Sequence, residues 1–195
     1  MNSLTSRCGA ALLCASALAA CGGSDSGSLP VSGTIYGLNR AGLILTTNGE
    51  ELTVADSAGS FAFTKLLSPD TEFFVEVKKS PDGQKCTAST NKNKINYYTY
   101  STTVISCTTD SYALGGSVSG LTGNGLILAN GASTAAILAG STSFVFNALV
   151  PNGGPYAVTV LKQPDGQTCT VTNGVAAKMP MAAVNDLIIT CKSGA

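Results

Sequence analysis

The residue types that most catalytic mechanisms require are scarce in this chain of 195 residues, which contains seven cysteines and no histidine. Without histidine, the Ser–His–Asp and Cys–His arrangements of nucleophilic catalysis are excluded. Paired carboxylates could still perform acid–base chemistry, and Glu72 and Glu76 would share one face of an extended strand. Lys78 follows on that face, which is typical of a solvated strand surface. The sequence therefore predicts a protein that is not an enzyme.

A tyrosine-rich segment offers a second kind of chemistry, the binding of a sugar ring or a protein surface by aromatic side chains. If Ile95–Tyr100 (INYYTY) is a strand, Tyr98 and Tyr100 point to one face and Tyr97 to the other. Alternatively, one face completes the core and the other carries a single exposed tyrosine, which is the favoured interpretation. Tyr97, Tyr98 and Tyr100 are nevertheless the candidate binding residues of the chain.

The composition limits which fold classes and which kinds of binding partner are expected. Basic and acidic residues number 11 each, the formal net charge is zero, and only 11% of the residues are charged. Such a chain lacks the basic surface that nucleic-acid binding requires, so no nucleic-acid partner is expected. The 22 glycines, together with frequent serine and threonine, favour short strands joined by turns. No window has the apolar spacing of a helix, and an all-β fold is predicted.

The beginning of the chain has the features of an export signal followed by a tether. Arg7 precedes an apolar run that is too short to span a bilayer, for which about 20 residues are needed. The run ends in Leu-Ala-Ala-Cys at 18–21, which resembles the lipobox of bacterial lipoproteins. That resemblance implies a signal peptide over 1–20, acylation of Cys21 and a flexible tether over 21–30. The alternative is an ordinary signal peptide with a chance cysteine at the cleavage site.

The lipobox resemblance also implies a location. Its acyl chains would hold the protein at a membrane through Cys21, since two chains give stable anchoring where one is marginal. By analogy with that family, Gly22 after the cysteine favours the outer membrane. We therefore expect a cell-envelope protein, with its periplasmic or surface exposure left open.

The rest of the chain contains two copies of one sequence pattern. The stretch SPDGQKCT at Ser80–Thr87 returns as QPDGQTCT at Gln163–Thr170, an offset of 83 residues. The same offset relates GLIL at 42–45 to GLIL at 125–128. A nearly constant offset over this length indicates an internal duplication. The predicted domains are a first repeat over 31–108, a linker over 109–113 and a second repeat over 114–195.

Each repeat is predicted to be a β-sandwich. In the first repeat, Phe73, Val75 and Val77 occupy alternate positions, which is the period of a strand with one buried face. Proline, aspartate and glycine at 81–83 suit successive positions of a tight turn. The strand before the turn and the segment Gln84–Thr87 after it are therefore predicted to form a β-hairpin.

Four cysteines in the repeats are predicted to form two disulfides. Four cysteines allow three pairings, and pairing within each repeat gives Cys86–Cys107 and Cys169–Cys191. Export would supply the oxidising compartment that these bonds need. Zinc could use the same residues, but the chain has no Cys-x-x-Cys spacing and no histidine. No metal or other cofactor is therefore expected.

The lipobox, the GLIL openings, the Ser-Phe-x-Phe motifs and the repeated PDGQ-x-CT turns make the chain similar to bacterial lipoproteins with tandem immunoglobulin-like modules. That resemblance implies two immunoglobulin-like β-sandwich modules behind a lipid anchor. It also implies non-catalytic binding or scaffolding in the cell envelope, with a protein or glycan partner not identified. The alternative function is carbohydrate or peptidoglycan binding through Tyr97, Tyr98 and Tyr100.

Overall fold

The computed structural model describes residues 27–173 and 176–194. Every regular element among them is a strand, so the fold is all-β, as the composition predicted. The predicted signal peptide over 1–20, the predicted acylation site Cys21 and most of the predicted tether lie outside the described residues. The described part of the chain contains no helix that is long and apolar enough to cross a membrane.

The first repeat is built from two sheets and one short ribbon. Its strands are β1 (Leu29–Tyr36), β2 (Ile44–Thr47), β3 (Glu50–Thr53), β4 (Ser60–Leu67), β5 (Glu72–Phe74), β6 (Glu76–Lys79), β7 (Gln84–Ser89), β8 (Lys92–Lys94) and β9 (Thr103–Thr109). One sheet has the order β4-β1-β9-β7, the other has β3-β2-β6, and β5 pairs with β8. Because β1 and β9 are parallel neighbours, the chain enters the repeat at one end and leaves it at the opposite end.

The second repeat has the same arrangement with two additional short strands. Its strands are β10 (Ser111–Tyr112), β11 (Leu114–Ser119), β12 (Leu126–Asn130), β13 (Ser133–Ile137), β14 (Ser143–Val145), β15 (Val150–Pro151), β16 (Pro155–Tyr156), β17 (Val158–Lys162), β18 (Gln167–Val171), β19 (Ala177–Lys178) and β20 (Val184–Ser193). The sheets are β14-β11-β20-β18 and β13-β12-β17, with β16 paired to β19 and β10 to β15. The parallel pair is now β11 with β20.

Each repeat has its own hydrophobic core. In the first repeat, Val31 from one sheet and Leu45 from the other are fully buried in one cluster. In the second repeat, Leu114 and Leu128 occupy the equivalent places in a second cluster. The two clusters share no residue, and each lies where its two sheets face one another, which makes each repeat a β-sandwich. The domain limits given above remain a prediction.

The strand predicted around Val75 is divided at that residue. Before it, β5 pairs with β8, and after it, β6 pairs with β2 in a different sheet. The Val75 N–H donates to the Asn91 carbonyl oxygen at 2.8 Å. Phe73 and Val75 are buried and Val77 is partly buried, so the predicted alternation of side chains is present although the strand changes partners.

The hairpin predicted around residues 81–83 is wrong. The turn itself forms, since the Gln84 N–H donates to the Pro81 carbonyl oxygen at 3.1 Å and Gly83 has a φ of 73°. However, β6 before the turn belongs to the β3-β2-β6 sheet, whereas β7 after it pairs with β9 in the other sheet. The turn therefore carries the chain from one sheet to the other.

Both predicted disulfides are present. Cys86–Cys107 joins β7 to β9, and Cys169–Cys191 joins β18 to β20. In each case the two cysteines lie directly opposite one another on antiparallel strands. Each bridge therefore fixes the strand that follows the turn to the last strand of its repeat.

Candidate functional site

In each repeat, the glutamine of the PDGQ turn binds the backbone of a neighbouring loop through its side-chain amide. The Gln84 Nε2 donates to the Gly37 carbonyl oxygen at 2.8 Å, and its Oε1 accepts from the Asn39 N–H at 3.2 Å. In the second repeat, the Gln167 Nε2 donates to the Gly120 carbonyl oxygen at 2.7 Å. Its Oε1 accepts from the Thr122 and Gly123 N–H groups, both at 2.7 Å. The motif thus recurs because one amide satisfies the backbone of the loop that follows the first strand.

The most extensive polar contact between the two repeats is made by Arg40. Its guanidinium donates through Nη2 to the Asn152 carbonyl oxygen at 2.6 Å and through Nη1 to the Asn152 side-chain oxygen. Nη1 also lies 3.4 Å from the Asp82 carbonyl oxygen in the first repeat's turn. Arginine offers several donors in a rigid planar fork, which suits binding two oxygens of one residue. Arg40 therefore holds the turn of the first repeat against a loop of the second.

Asn152 is the second half of this joint and is buried, with 7% of its surface exposed. Its N–H donates to the Asp110 carbonyl oxygen at 2.8 Å, and its side-chain amide donates to the Met179 carbonyl oxygen at 3.3 Å. The Asp110 N–H in turn donates to the Gly83 carbonyl oxygen at 3.0 Å. A Cβ atom added to Gly83 would lie 2.3 Å from the Asn152 side-chain oxygen. We call Arg40, Gly83, Asp110 and Asn152 the joint.

The second repeat has no equivalent of Arg40 at its own turn. The aligned residue is Gly123, and a Cβ atom there would lie 2.2 Å from the Asp165 carbonyl oxygen. The turn of the second repeat is therefore packed directly on its own loop. Sequence reasoning missed the joint, although the difference between Arg40 and Gly123 is visible when the two repeats are aligned.

The tyrosine segment is a turn, so its prediction as a strand is wrong. The Asn96 carbonyl oxygen accepts from the Thr99 and Tyr100 N–H groups, both at 3.1 Å. The Asn96 side-chain oxygen accepts from the Tyr98 N–H at 2.9 Å, and the Thr99 hydroxyl accepts from the Asn96 N–H at 3.0 Å. These local bonds give the backbone an alternative to a sheet ladder.

The three tyrosines consequently do not divide between two strand faces. Tyr97 and Tyr98 are 76% and 86% exposed and meet edge to face, with ring centroids 5.8 Å apart. Tyr100 packs partly against the core of the first repeat, and its ring lies 6.3 Å from that of Tyr97. Two neighbouring tyrosine rings are therefore exposed, whereas the favoured interpretation of the sequence had a single exposed tyrosine.

Glu72 and Glu76, the candidate carboxylate pair, both line an open cavity of about 540 Å³ in the first repeat. Lys92 lines the same cavity. The corresponding cavity of the second repeat, of about 340 Å³, is lined by neutral residues that include Pro155 and Tyr156. The two repeats thus share the position of the cavity but not its acidic groups. Within residues 27–173 and 176–194, no group of three or more His, Cys, Asp or Glu is placed to hold a metal ion.

The Glu50 carboxylate joins the edge strands of the two sheets in the first repeat. The Glu50 side chain on β3 accepts from the Thr64 N–H at 2.8 Å, the Thr64 hydroxyl at 2.7 Å and the Lys65 N–H at 2.9 Å on β4. The hydrogen bonds from the Thr64 hydroxyl and N–H hold the pKa of Glu50 below its ordinary value. In the second repeat the residue after the Asn-Gly turn is Ala132, which has no carboxylate to do this.

No protein-family model and no curated protein matches this chain. Among solved structures, the chain is similar to the Bacillus anthracis TIE protein, with a TM-score of 0.47 and 16% identity over 86% of this chain and 34% of that one. It is also similar to a C-terminal fragment of pilus adhesin SpaC from Lactobacillus rhamnosus GG, with a TM-score of 0.40 and 12% identity over 84% and 96% of the two chains.

A further likeness is to the major pilin protein T-13 from Streptococcus pyogenes, with a TM-score of 0.36 and 11% identity over 86% of this chain and 97% of that one. The chain spans about one third of the length of the TIE protein. All three TM-scores are below 0.5, so these likenesses carry no conclusion about what the chain binds or does.

Proposed function

We propose that this chain is a lipid-anchored protein of the bacterial cell envelope whose two repeats form a non-catalytic arm for scaffolding or partner binding. The anchor would be Cys21, and Gly22 after it favours the outer membrane by analogy with lipoproteins. The arm would begin at the tether and carry the second repeat away from the membrane.

The observation that carries the proposal is the joint. A freely hinged pair of domains needs no specific polar contact between its members, and relative motion is the default for small interfaces. Here Arg40 binds two oxygens of the buried Asn152. Leaving such a buried amide without its partner costs about 1–3 kcal/mol, which favours the closed joint. A fixed joint suits an arm that must hold its far end at a set distance and direction.

The course of the chain supports the same interpretation. β1 and β9 are parallel neighbours, so the first repeat receives the tether at one end and passes the chain to the second repeat at the other. β11 and β20 repeat this relation. An anchor at Cys21 would therefore leave the second repeat on the side away from the membrane.

Metabolic labelling tests the anchor. Cells expressing the full chain are grown with an alkyne analogue of palmitate, and labelling is compared for the parent, Cys21→Ala and Cys14→Ala. We expect loss of label with Cys21→Ala and normal label with Cys14→Ala, because Leu13 before Cys14 is bulkier than the small residue a lipobox has there. Unchanged labelling of Cys21→Ala would reject the lipid anchor.

Protease treatment of intact cells tests the location. Release of peptides from the repeats without permeabilisation would place the arm on the outer surface. Release only after the outer membrane is opened would place it in the periplasm. Recovery of the chain together with cytosolic marker proteins would reject the envelope location altogether.

A further inference from the structure

We propose that the turn carrying Tyr97 and Tyr98 contacts the lipid bilayer to which Cys21 attaches the chain. This inference rests on the lipid anchor of the proposed function. It assigns the two exposed rings to the membrane interface and gives the first repeat a defined orientation above the lipid.

The tyrosine turn lies at the end of the first repeat that carries Gly27, the first of the described residues. Gly27 lies beside Pro69, with the Pro69 Cγ 3.8 Å from where a Gly27 Cβ would stand. The next residue, Asp70, donates through its N–H to the Ile95 carbonyl oxygen at 3.0 Å. The turn with Tyr97 follows Ile95 directly. The chain therefore enters the first repeat at the end that carries the tyrosines.

A second contact ties the tyrosine turn to the entering strand. The Ser32 N–H, near the start of β1, donates to the Tyr100 carbonyl oxygen at 2.7 Å. β1 then runs from Leu29 to Tyr36, which is about 23 Å at 3.3 Å per residue. The second repeat follows the end of β9, which lies at the Tyr36 end because Tyr36 is aligned with Ser106.

The length of chain between Cys21 and Gly27 limits how far the first repeat can stand from an anchor at Cys21. Gly27 is the sixth residue after Cys21, and a fully extended chain of six residue steps spans at most about 21 Å. With Cys21 at the lipid surface, the end of the repeat that carries Gly27 can move no farther from the bilayer than this. The tyrosine turn is thus held within reach of the interface, whereas Tyr36 lies on the far side of the repeat.

The exposed surface at this end of the repeat carries aromatic and apolar side chains. Tyr97 and Tyr98 are 76% and 86% exposed, and tyrosine is enriched at membrane interfaces because its ring is apolar and its hydroxyl is polar. Leu66, aligned with Pro30 at the same end, is 53% exposed and adds apolar area.

The charges at this end nearly cancel. Lys92 and Lys94 on β8 are exposed, and so are Asp70 and Glu72 close by. Lys94 is the strand partner of Glu72. The contact would therefore depend on the aromatic rings rather than on attraction to anionic lipid, and a neutral bilayer suffices to test it.

The chain contains no tryptophan, so a single introduced tryptophan reports on its own surroundings. We would purify the lipidated full chain as Tyr98→Trp and, as the matched control, as Tyr36→Trp, which alters a tyrosine that is 62% exposed at the opposite end. Each is reconstituted into phosphatidylcholine vesicles with or without brominated acyl chains, which quench tryptophan fluorescence at short range. Flotation of the vesicles confirms attachment independently.

We expect both proteins to float and the quenching at position 98 to be at least twofold greater than at position 36. Flotation with equal quenching, or with greater quenching at position 36, would overturn the contact while leaving the lipid anchor intact. Failure of the purified chain to float would overturn the anchor and the contact together.

Glycan binding is the other use of the same rings. If peptidoglycan retains the parent chain but not Tyr97→Ala/Tyr98→Ala, and position 98 is not quenched in floating vesicles, the membrane contact is overturned in favour of a glycan.

Discussion

Arg40 and Asn152 lie 112 residues apart in sequence and are joined by two hydrogen bonds from a single guanidinium. One residue belongs to the first repeat and the other to the second. Duplication alone would have produced two identical turns, but only the first turn is adapted to meet a neighbour. The joint is therefore a feature that arose where the copies differ.

Replacing Arg40 with alanine should loosen the joint without unfolding either repeat. Both hydrogen bonds to Asn152 are lost, and a hydrogen bond from a charged group contributes about 1.5–3 kcal/mol. Small-angle X-ray scattering should show a broader distribution of interatomic distances, and hydrogen exchange should show less protection around Asn152 alone. The control is Lys85→Ala, which removes an exposed lysine from β7, the strand that follows the turn. Unchanged scattering for Arg40→Ala would show that the joint does not need this residue.

The two turn glycines form a matched pair for testing the same contact. Gly83 and Gly166 both have positive φ, at 73° and 66°, so alanine strains the backbone in either place by about 1 kcal/mol. Only Gly83 faces the second repeat, whereas nothing lies within 4 Å of an added Gly166 Cβ. We expect Gly83→Ala to alter the scattering curve and Gly166→Ala to leave it unchanged. Equal effects would mean that strain in the turn, rather than contact across the joint, is what matters.

Removing the side-chain amide of Gln84 or Gln167 should destabilise only the repeat that contains it. Gln84 is buried, with 4% exposed, and Gln84→Ala leaves the Gly37 carbonyl oxygen and the Asn39 N–H without partners. Because Gly37 and Asn39 are themselves exposed and water can replace the amide, the expected cost is about 0.5–1.5 kcal/mol for each lost hydrogen bond. Hydrogen exchange measured separately over the two repeats should report a loss in the first repeat only. Gln167→Ala should reverse the pattern, and a loss in both repeats from either variant would contradict independent cores.

Each disulfide should stabilise only the repeat that contains it. The bridges close loops with sequence separations of 21 and 22 residues, for which chain entropy predicts about 3 kcal/mol. Cys86→Ser/Cys107→Ser is expected to lower the denaturant midpoint of the first repeat, and Cys169→Ser/Cys191→Ser that of the second. Each double variant serves as the control for the other. A midpoint that does not move would mean that the sheets alone determine the stability.

Glu50 should make a small contribution to stability that disappears in acid. Its pKa is lowered in the folded protein by hydrogen bonds from Thr64, so the stabilisation is complete above the ordinary glutamate pKa of about 4.3. It is lost as the pH falls through the lowered folded value. Since the group is near the surface, we expect less than about 1 kcal/mol between the parent and Glu50→Gln at pH 7, shrinking towards zero in acid.

Urea titrations at a series of pH values measure this difference, with the exposed Glu76→Gln as control. A difference that grows in acid would have the wrong sign for a lowered pKa.

The sequence was sufficient for features that the repeat itself encodes. The partners of Cys86 and Cys169 follow from one bridge per copy, and the burial of Phe73 and Val75 follows from alternation along a strand. The hairpin failed because a turn such as Pro81–Gly83 fixes only local backbone angles. Which strand lies beside β7 is decided by the packing of two sheets, and that information is not local.

The candidate site was harder to predict for a related reason. The Tyr97 turn depends on backbone hydrogen bonds accepted by the Asn96 and Thr99 side chains, which compete with strand pairing and are weak signals in a sequence. Arg40 looks like any exposed arginine until the second repeat is placed beside it. Both features become visible only when contacts distant in sequence are known.

The parallel pairing of β1 with β9 has a mechanical consequence. If the protein were stretched between its tether and the far end of the second repeat, force would enter at one of these neighbouring strands and leave at the other. Their hydrogen bonds, from Gly33 with Thr103 to Tyr36 with Ser106, would be sheared together rather than broken one by one. The Cys86–Cys107 bridge would also prevent the segment between the two cysteines from extending under force. Such a repeat resists tension along the direction in which a tethered arm would be pulled.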